Sequence, residues 1–266
     1  MAAGGIAGLI FYLSWANLAL FLGLCALTLC GGHSLGMHRK LIHDSFQCPR
    51  WLMRFGVYLG TLVGLGGPRT MMYSHDLRDW AQRQSECHSY LCHGEAPLKD
   101  FWWQVHCDLR LDNAPDFMPS EDYQNDPILK ILQYSSILQN VILAGILFSV
   151  GGIGFVLWGV CLRVAISIFG HWAVGYVAHN HGPRDFHNHG AAVQGHNVPG
   201  LGLMTFGECW HNNHHAFPES AKLGLMRDQA DPGWWVLSGL SAIGLVWDLN
   251  VPNLDESPLK TTVSIT

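Results

Sequence analysis

The chain has 266 residues, 49% of them hydrophobic and only 13% charged, about half the share of roughly 25% usual for a soluble domain. A formal net charge of −5 without a basic stripe excludes a nucleic-acid-binding surface. The 16 His outnumber the 15 Lys and Arg together, an excess that a soluble core does not need and metal ligation does.

Residues 2–32 contain no charged side chain. The run Gly5–Cys30 is long enough for one tilted spanning helix and too short for two, given about 20 residues per crossing, so a first span is predicted over 5–31. Trp51–Gly67 is apolar but short and carries Arg54, which suits a helix lying on or dipping into the membrane interface. Lys99–Leu111, with Phe101, Trp102 and Trp103, is placed against the cap or the lipid headgroups. A second apolar block, Ile128–Ala178, is interrupted by Gly151-Gly152. That pair suits the turn of a helical hairpin with spans over 131–150 and 153–178. Gly233–Val251, with Trp234, Trp235, Leu237, Leu240, Ile243 and Leu245, reads as a surface amphipathic helix. The tail 255–266 is expected to be disordered.

Arg39, Lys40, Arg50, Arg54, Arg69, Arg78 and Arg83 follow the first span, and Arg184, Lys222 and Arg227 follow the last. The positive-inside rule therefore puts 33–130 and 179–254 in the cytoplasm, in a bacterial inner membrane in preference to the endoplasmic reticulum. The expected fold is one all-α integral-membrane domain over 1–266. About three transmembrane helices and interfacial helices would lie under a cytoplasmic helical cap. The eight Cys are scattered and are read as reduced and structural.

The His residues cluster on that cytoplasmic side. His38 and His43 follow the first span; five apart, they do not share a face of an ideal α-helix. His75 and Asp79 are four apart and do share one. His171 and His179 are two turns apart on the last span. In Trp210-His211-Asn212-Asn213-His214-His215, His211 and His215 share a face with His214 beside them, so one helix can serve two neighbouring metals. Imidazole with a carboxylate suits iron better than calcium or magnesium, and the lack of Cys partners argues against structural zinc. His187, His189 and His196 read as loop residues, and His88, His93 and His106 as structural.

At these residues the chain resembles the membrane fatty-acid desaturases, especially the acyl-CoA desaturases. His38-Arg39 to His43 fits the first of the family's three His boxes, and Gly32 to Met37 is similar to its lead-in. His211 to His215, preceded by Gly207-Glu208-Cys209-Trp210 and followed by Ala216-Phe217-Pro218, is similar to the third. His179 matches an extra ligand between the second and third. The similarity runs on through Gly233-Trp234 and Leu245-Val246-Trp247-Asp248. Two features depart from the pattern. The second box should bring three His and here offers His75, Arg78 and Asp79, of which arginine cannot be a ligand. The Asn often found four residues before the His179 position is also missing, with Gly175 there; the second departure is the N-terminus, where the family usually has a helical hairpin and this chain has room for one span.

The resemblance implies two iron ions held by His38, His43, His75, His179, His211, His214 and His215, with Asp79 and His171 completing the set. It implies O2 as co-substrate and hydrogen abstraction from a fatty-acyl chain carried by CoA or lipid. A separate ferredoxin, cytochrome or rubredoxin would supply electrons. A di-iron hydroxylase of a lipid, alkane or carotenoid is the nearest alternative, and a non-catalytic metal- or haem-binding membrane protein the next. Asn212, Asn213 and Asp185 are candidates for orienting the imidazoles.

Overall fold

The computed structural model describes residues 1–111 and 114–254, so the tail expectation over 255–266 lies outside the described residues. The described chain is helical, and its β-pairing is confined to two isolated bridges, Gln47 with Trp247 and Asn197 with Trp210. In chain order the helices are α1 Ala2–Phe11, α2 Trp15–Cys25 continuing in wider π-type winding over Ala26–Ile42, α3 Arg50–Leu62, α4 Pro68–Gln82, α5 Pro97–His106, α6 Glu121–Asn125 and α7 Pro127–Val156. A π-type turn, Leu157–Leu162, then leads into α8 Arg163–Asn180, followed by α9 Gly202–Thr205, α10 His211–Ala216 and α11 Pro232–Ala242. They fall into two compact units.

The first unit comprises 1–41, 50–72 and 118–171. Among the described residues two segments are long and apolar enough to cross a membrane, Trp15–Ile42 and Pro127–Asn180, and only 28% and 17% of their apolar windows are buried. Side chains such as Trp15, Ile137 and Val150 point outward, the reverse of a soluble core helix. The second segment folds back on itself. Asn140 accepts a 2.7 Å hydrogen bond from Arg163, although residues 23 apart on a straight helix would be about 35 Å apart. The reversal is at Gly151-Gly152, where Gly152 has φ 66, a conformation glycine adopts without steric cost.

The single helix expected over 5–31 is two helices in the structure. Ser14 caps α2 through the Asn17 N–H (3.1 Å), and the Asn17 amide donates to the Tyr12 carbonyl (2.6 Å). The chain can therefore turn at 12–14 without a stranded backbone group. A Cβ at Gly4 would meet Cys161 and one at Gly8 would meet Leu157, whereas Gly154 lies against Asn17 and Gly159 against Leu20 and Leu24. Numbers fall along α1 and rise along α2 beside the same helix, so α1 and α2 form an antiparallel hairpin. A hydropathy window cannot see a turn made by one Ser and one Asn.

Arg163, fully buried, closes this unit. It donates to Gly159 O (2.7 Å), Leu62 O (2.7 Å), Asn140 Oδ1 (2.7 Å) and Thr28 Oγ1 (3.5 Å). Its charge thus ties α2, α3, α7 and α8 together with neutral acceptors, as a buried membrane charge requires. The helix predicted at the interface, α3, packs its glycines on α2: a Cβ at Gly36 would strike the Gly56 backbone and one at Gly32 the backbone of Leu59 and Gly60. This is the close crossing that small residues four apart allow. Its opposite face exposes Trp51 and Phe55.

The second unit comprises 42–49, 73–117 and 172–266. Its core contains Cys209, Trp210 and Leu223, packed by Val198 and Leu201. Buried Asp231 caps α11 through Trp234 N and accepts from Leu223 N and Gly224 N. The amphipathic segment predicted over 233–251 is helical only to Ala242.

Candidate metal centre

Within the second unit, six imidazoles from four separated segments converge in two groups. His43 follows α2, His75 lies on α4, and His214 on α10. Ring centroids are 4.7 Å apart for His43–His75 and 4.8 Å for His43–His214, and the ligand nitrogens lie within 4.8 Å of one another. His179, near the end of α8, meets His211 and His215 of α10. The Nε2 atoms of His179 and His211 are 3.3 Å apart and those of His211 and His215 are 3.0 Å apart. One short helix thus sends His214 to the first group and His211 with His215 to the second.

Tautomers suit metal binding. His179 Nδ1 must donate to Gly175 O (2.7 Å), because a carbonyl only accepts, and this leaves an Nε2 lone pair facing its neighbours. Burial, followed by His211 and Arg83, holds the His215 imidazole well below its ordinary pKa, so it stays neutral. His75 goes the other way: burial opposes its charge, but the Asp79 and Asp76 carboxylates outweigh it and raise the pKa.

The expected residues divide. His43, His75, His179, His211, His214 and His215 meet in the two groups. Asp79 joins neither, acting on His75 through space. His171 lies in the first unit, its ring 5.0 Å from that of His33. His38, also in the first unit, is buried and stacks on His33 at 6.5 Å and 11°. The five-residue spacing that would separate these rings on an α-helix lies near one face in π-type winding, whose hydrogen bonds run i to i+5. Asn212, Asn213 and Asp185 bond to backbone groups, Asn197 and Gln229. Asn212 Oδ1 accepts from Asp185 N and Phe186 N, Asn213 Nδ2 donates to Leu223 O, and Asn197 bridges Asp185 to Asn213. They hold the backbone of α10, and the rings follow.

His93, read as structural from sequence, stands beside the second group. Its ring stacks on His179 at 5.2 Å and 24°. Burial, then the Arg78 guanidinium, pushes its pKa down to about 4 despite Asp100. A neutral ring therefore donates from Nδ1 to Asp100 Oδ2 (2.8 Å) and accepts at Nε2 from Arg78 (3.0 Å). Trp172 holds the same Asp100 oxygen at 2.8 Å. A Cβ on Gly175 would come within 3.2 Å of His93 Nε2, so His93 fills the space beside Gly175. The available signal was the pair of departures at Arg78 and Gly175, but nothing in the sequence links them to residue 93.

The fatty acid desaturase family profile matches residues 13–222. The chain belongs to the fatty acid desaturase family. It is 32% identical to the sn-1 stearoyl-lipid 9-desaturase of Synechocystis sp. over 91% of this chain and 74% of that protein. The Anabaena variabilis protein of the same description is also 32% identical, over 90% of this chain and 85% of its own length. An acyl-CoA 5-desaturase of Anemone leveillei is 29% identical over 91% and 74%. As a desaturase, the chain brings two His groups suited to metal from boxes that lie far apart in sequence.

Proposed function

We propose that this chain is an O2-dependent, membrane-embedded fatty-acyl desaturase that holds two iron ions in its two His groups. The carrying observation is the convergence of the His179, His211 and His215 Nε2 atoms to 3.0–3.3 Å beside the His43–His75–His214 group. So many imidazole nitrogens, buried and without thiolates, make an iron-type donor set. His43, His75 and His214 would hold one ion, with His38 assigned to it by the box pattern, and His179, His211 and His215 the other. When bound and reduced, an iron pair held by these residues would supply the O2-dependent oxidation of an unactivated methylene. The protein's part is to hold the imidazoles in place and to exclude water.

The helical hairpins support three membrane crossings, by α2 and by the two arms meeting at Gly151-Gly152, with α1 about 15 Å long and reaching halfway. Relatives named for lipid-linked and CoA-linked substrates favour an acyl chain on one of these carriers, and a separate redox protein would deliver electrons. Expression in a host lacking its own desaturase, with lipid analysis by mass spectrometry, should reveal a new double bond that His214→Ala abolishes. A product that gains oxygen without a double bond would make the chain a hydroxylase instead.

A further inference from the structure

The second His group is short of donors: it has three imidazoles, because the second box contributes neither residue 78 nor residue 79. The Arg78 guanidinium is turned to Leu91 O (3.0 Å), Gln104 Oε1 (2.7 Å) and His93 Nε2. One turn further along α4, on the face of Arg78, is Gln82, 1% exposed. Its amide nitrogen lies 3.0 Å from His179 Nε2 and 2.6 Å from Leu91 O. Its Oε1 is buried with no hydrogen-bond partner among the described residues, a state that costs about 1–3 kcal/mol.

We infer that the Gln82 carboxamide oxygen is a ligand of the second metal, taking the place of the imidazole that the second box lacks. With metal–donor bonds of about 2.1 Å, donors at right angles on one ion are about 3.0 Å apart and those at a tetrahedral angle about 3.4 Å. The head groups of Gln82, His179, His211 and His215 follow one another at 3.0, 3.3 and 3.0 Å. Amide O and N are interchangeable in placement. Exchanging the two puts Oε1 where Nε2 now lies, 3.0 Å from His179 Nε2, and takes Nε2 off Leu91 O, from which the amide then swings away toward the ion. Arg78 also donates to Leu91 O, so that carbonyl retains a donor even if the amide nitrogen is lost.

The inference rests on the two-metal reading above, and one experiment separates them. The full chain, purified in detergent and stripped of metal, is titrated with Co2+ and followed by visible absorption, alongside Gln82→Leu and Gln82→Glu. Wild type should take two equivalents. Gln82→Leu should keep one unchanged and weaken the other roughly 10- to 100-fold, and Gln82→Glu, which keeps an oxygen donor, should hold both. Wild-type affinity for both ions in Gln82→Leu overturns the inference. So does a Gln82→Glu protein as weakened as Gln82→Leu, which would show that only the amide N–H matters. Fewer than two equivalents in wild type would remove the two-metal reading and the inference with it.

Discussion

Replacing Arg163 by Met removes a cation that ties four helices of the first unit. Three acceptors now hydrogen-bonded at 2.7 Å, Gly159 O, Leu62 O and Asn140 Oδ1, would each be stranded at about 1–3 kcal/mol. Against this, the apolar side chain no longer buries a charge worth about 3 kcal/mol in a bilayer. Taking about 2 kcal/mol per acceptor, the net loss is roughly 3 kcal/mol, or a fall of roughly 6–12 °C in melting temperature for a chain of this size. Thermal unfolding in detergent, followed by far-UV circular dichroism, measures it. Asn140→Leu should also destabilise. The double variant, with both partners made apolar, should lose at least about 1 kcal/mol less than the sum of the singles. An Arg163→Met protein as stable as wild type, or strict additivity, would refute the reasoning.

Gly36→Ala should cost at least about 2 kcal/mol, because its Cβ would enter the Gly56 backbone. Gly23→Ala, with open space around that position, should be neutral or slightly stabilising; equal melting temperatures for the two would count against the helix crossing. Buried Asp126 caps α7 and meets Arg54 at 3.0 Å. Burial works against its charge, but Arg54 and the backbone N–H groups of Leu129 and Ile128 prevail and hold the carboxyl below its ordinary value of 3.8. A depressed folded pKa stabilises above the unfolded pKa and is lost as pH falls through the folded one. Asp126→Asn should therefore melt lower than wild type at pH 7, by roughly 1 kcal/mol, with the gap closing by pH 3; a constant gap would contradict this. Gly175→Asn, which restores the family's common residue, should clash with His93 and weaken Co2+ binding, and adding His93→Ala should recover part of it. Unimpaired binding in the single variant would place His93 elsewhere.

The all-helical class, the family and the His residues that meet in the two groups were legible in the sequence. Each rests on short-range information: an apolar run, a four-residue spacing on a helix, or a box whose neighbours match. The reversal at Gly151-Gly152 was legible for the same reason, since two adjacent glycines mark a local break. The turn at Tyr12–Ser14 was not, because it depends on Ser14 and Asn17 satisfying backbone groups inside an otherwise apolar stretch.

What tertiary structure alone decided are relations between residues with no shared local pattern. His33 and His38 stack because the helix widens to π-type winding, which helical periodicity cannot anticipate. Asp79 was expected as a ligand from its spacing to His75, yet the helix directs it outside both groups. Arg78 and Gly175 stood out as departures, but only the fold brings His93 and Asp100 in to answer both. Spacing can state which side chains share a helix face. Which distant loop fills the space beside that face is set by packing, where a difference of one methylene or one hydrogen bond selects the neighbour.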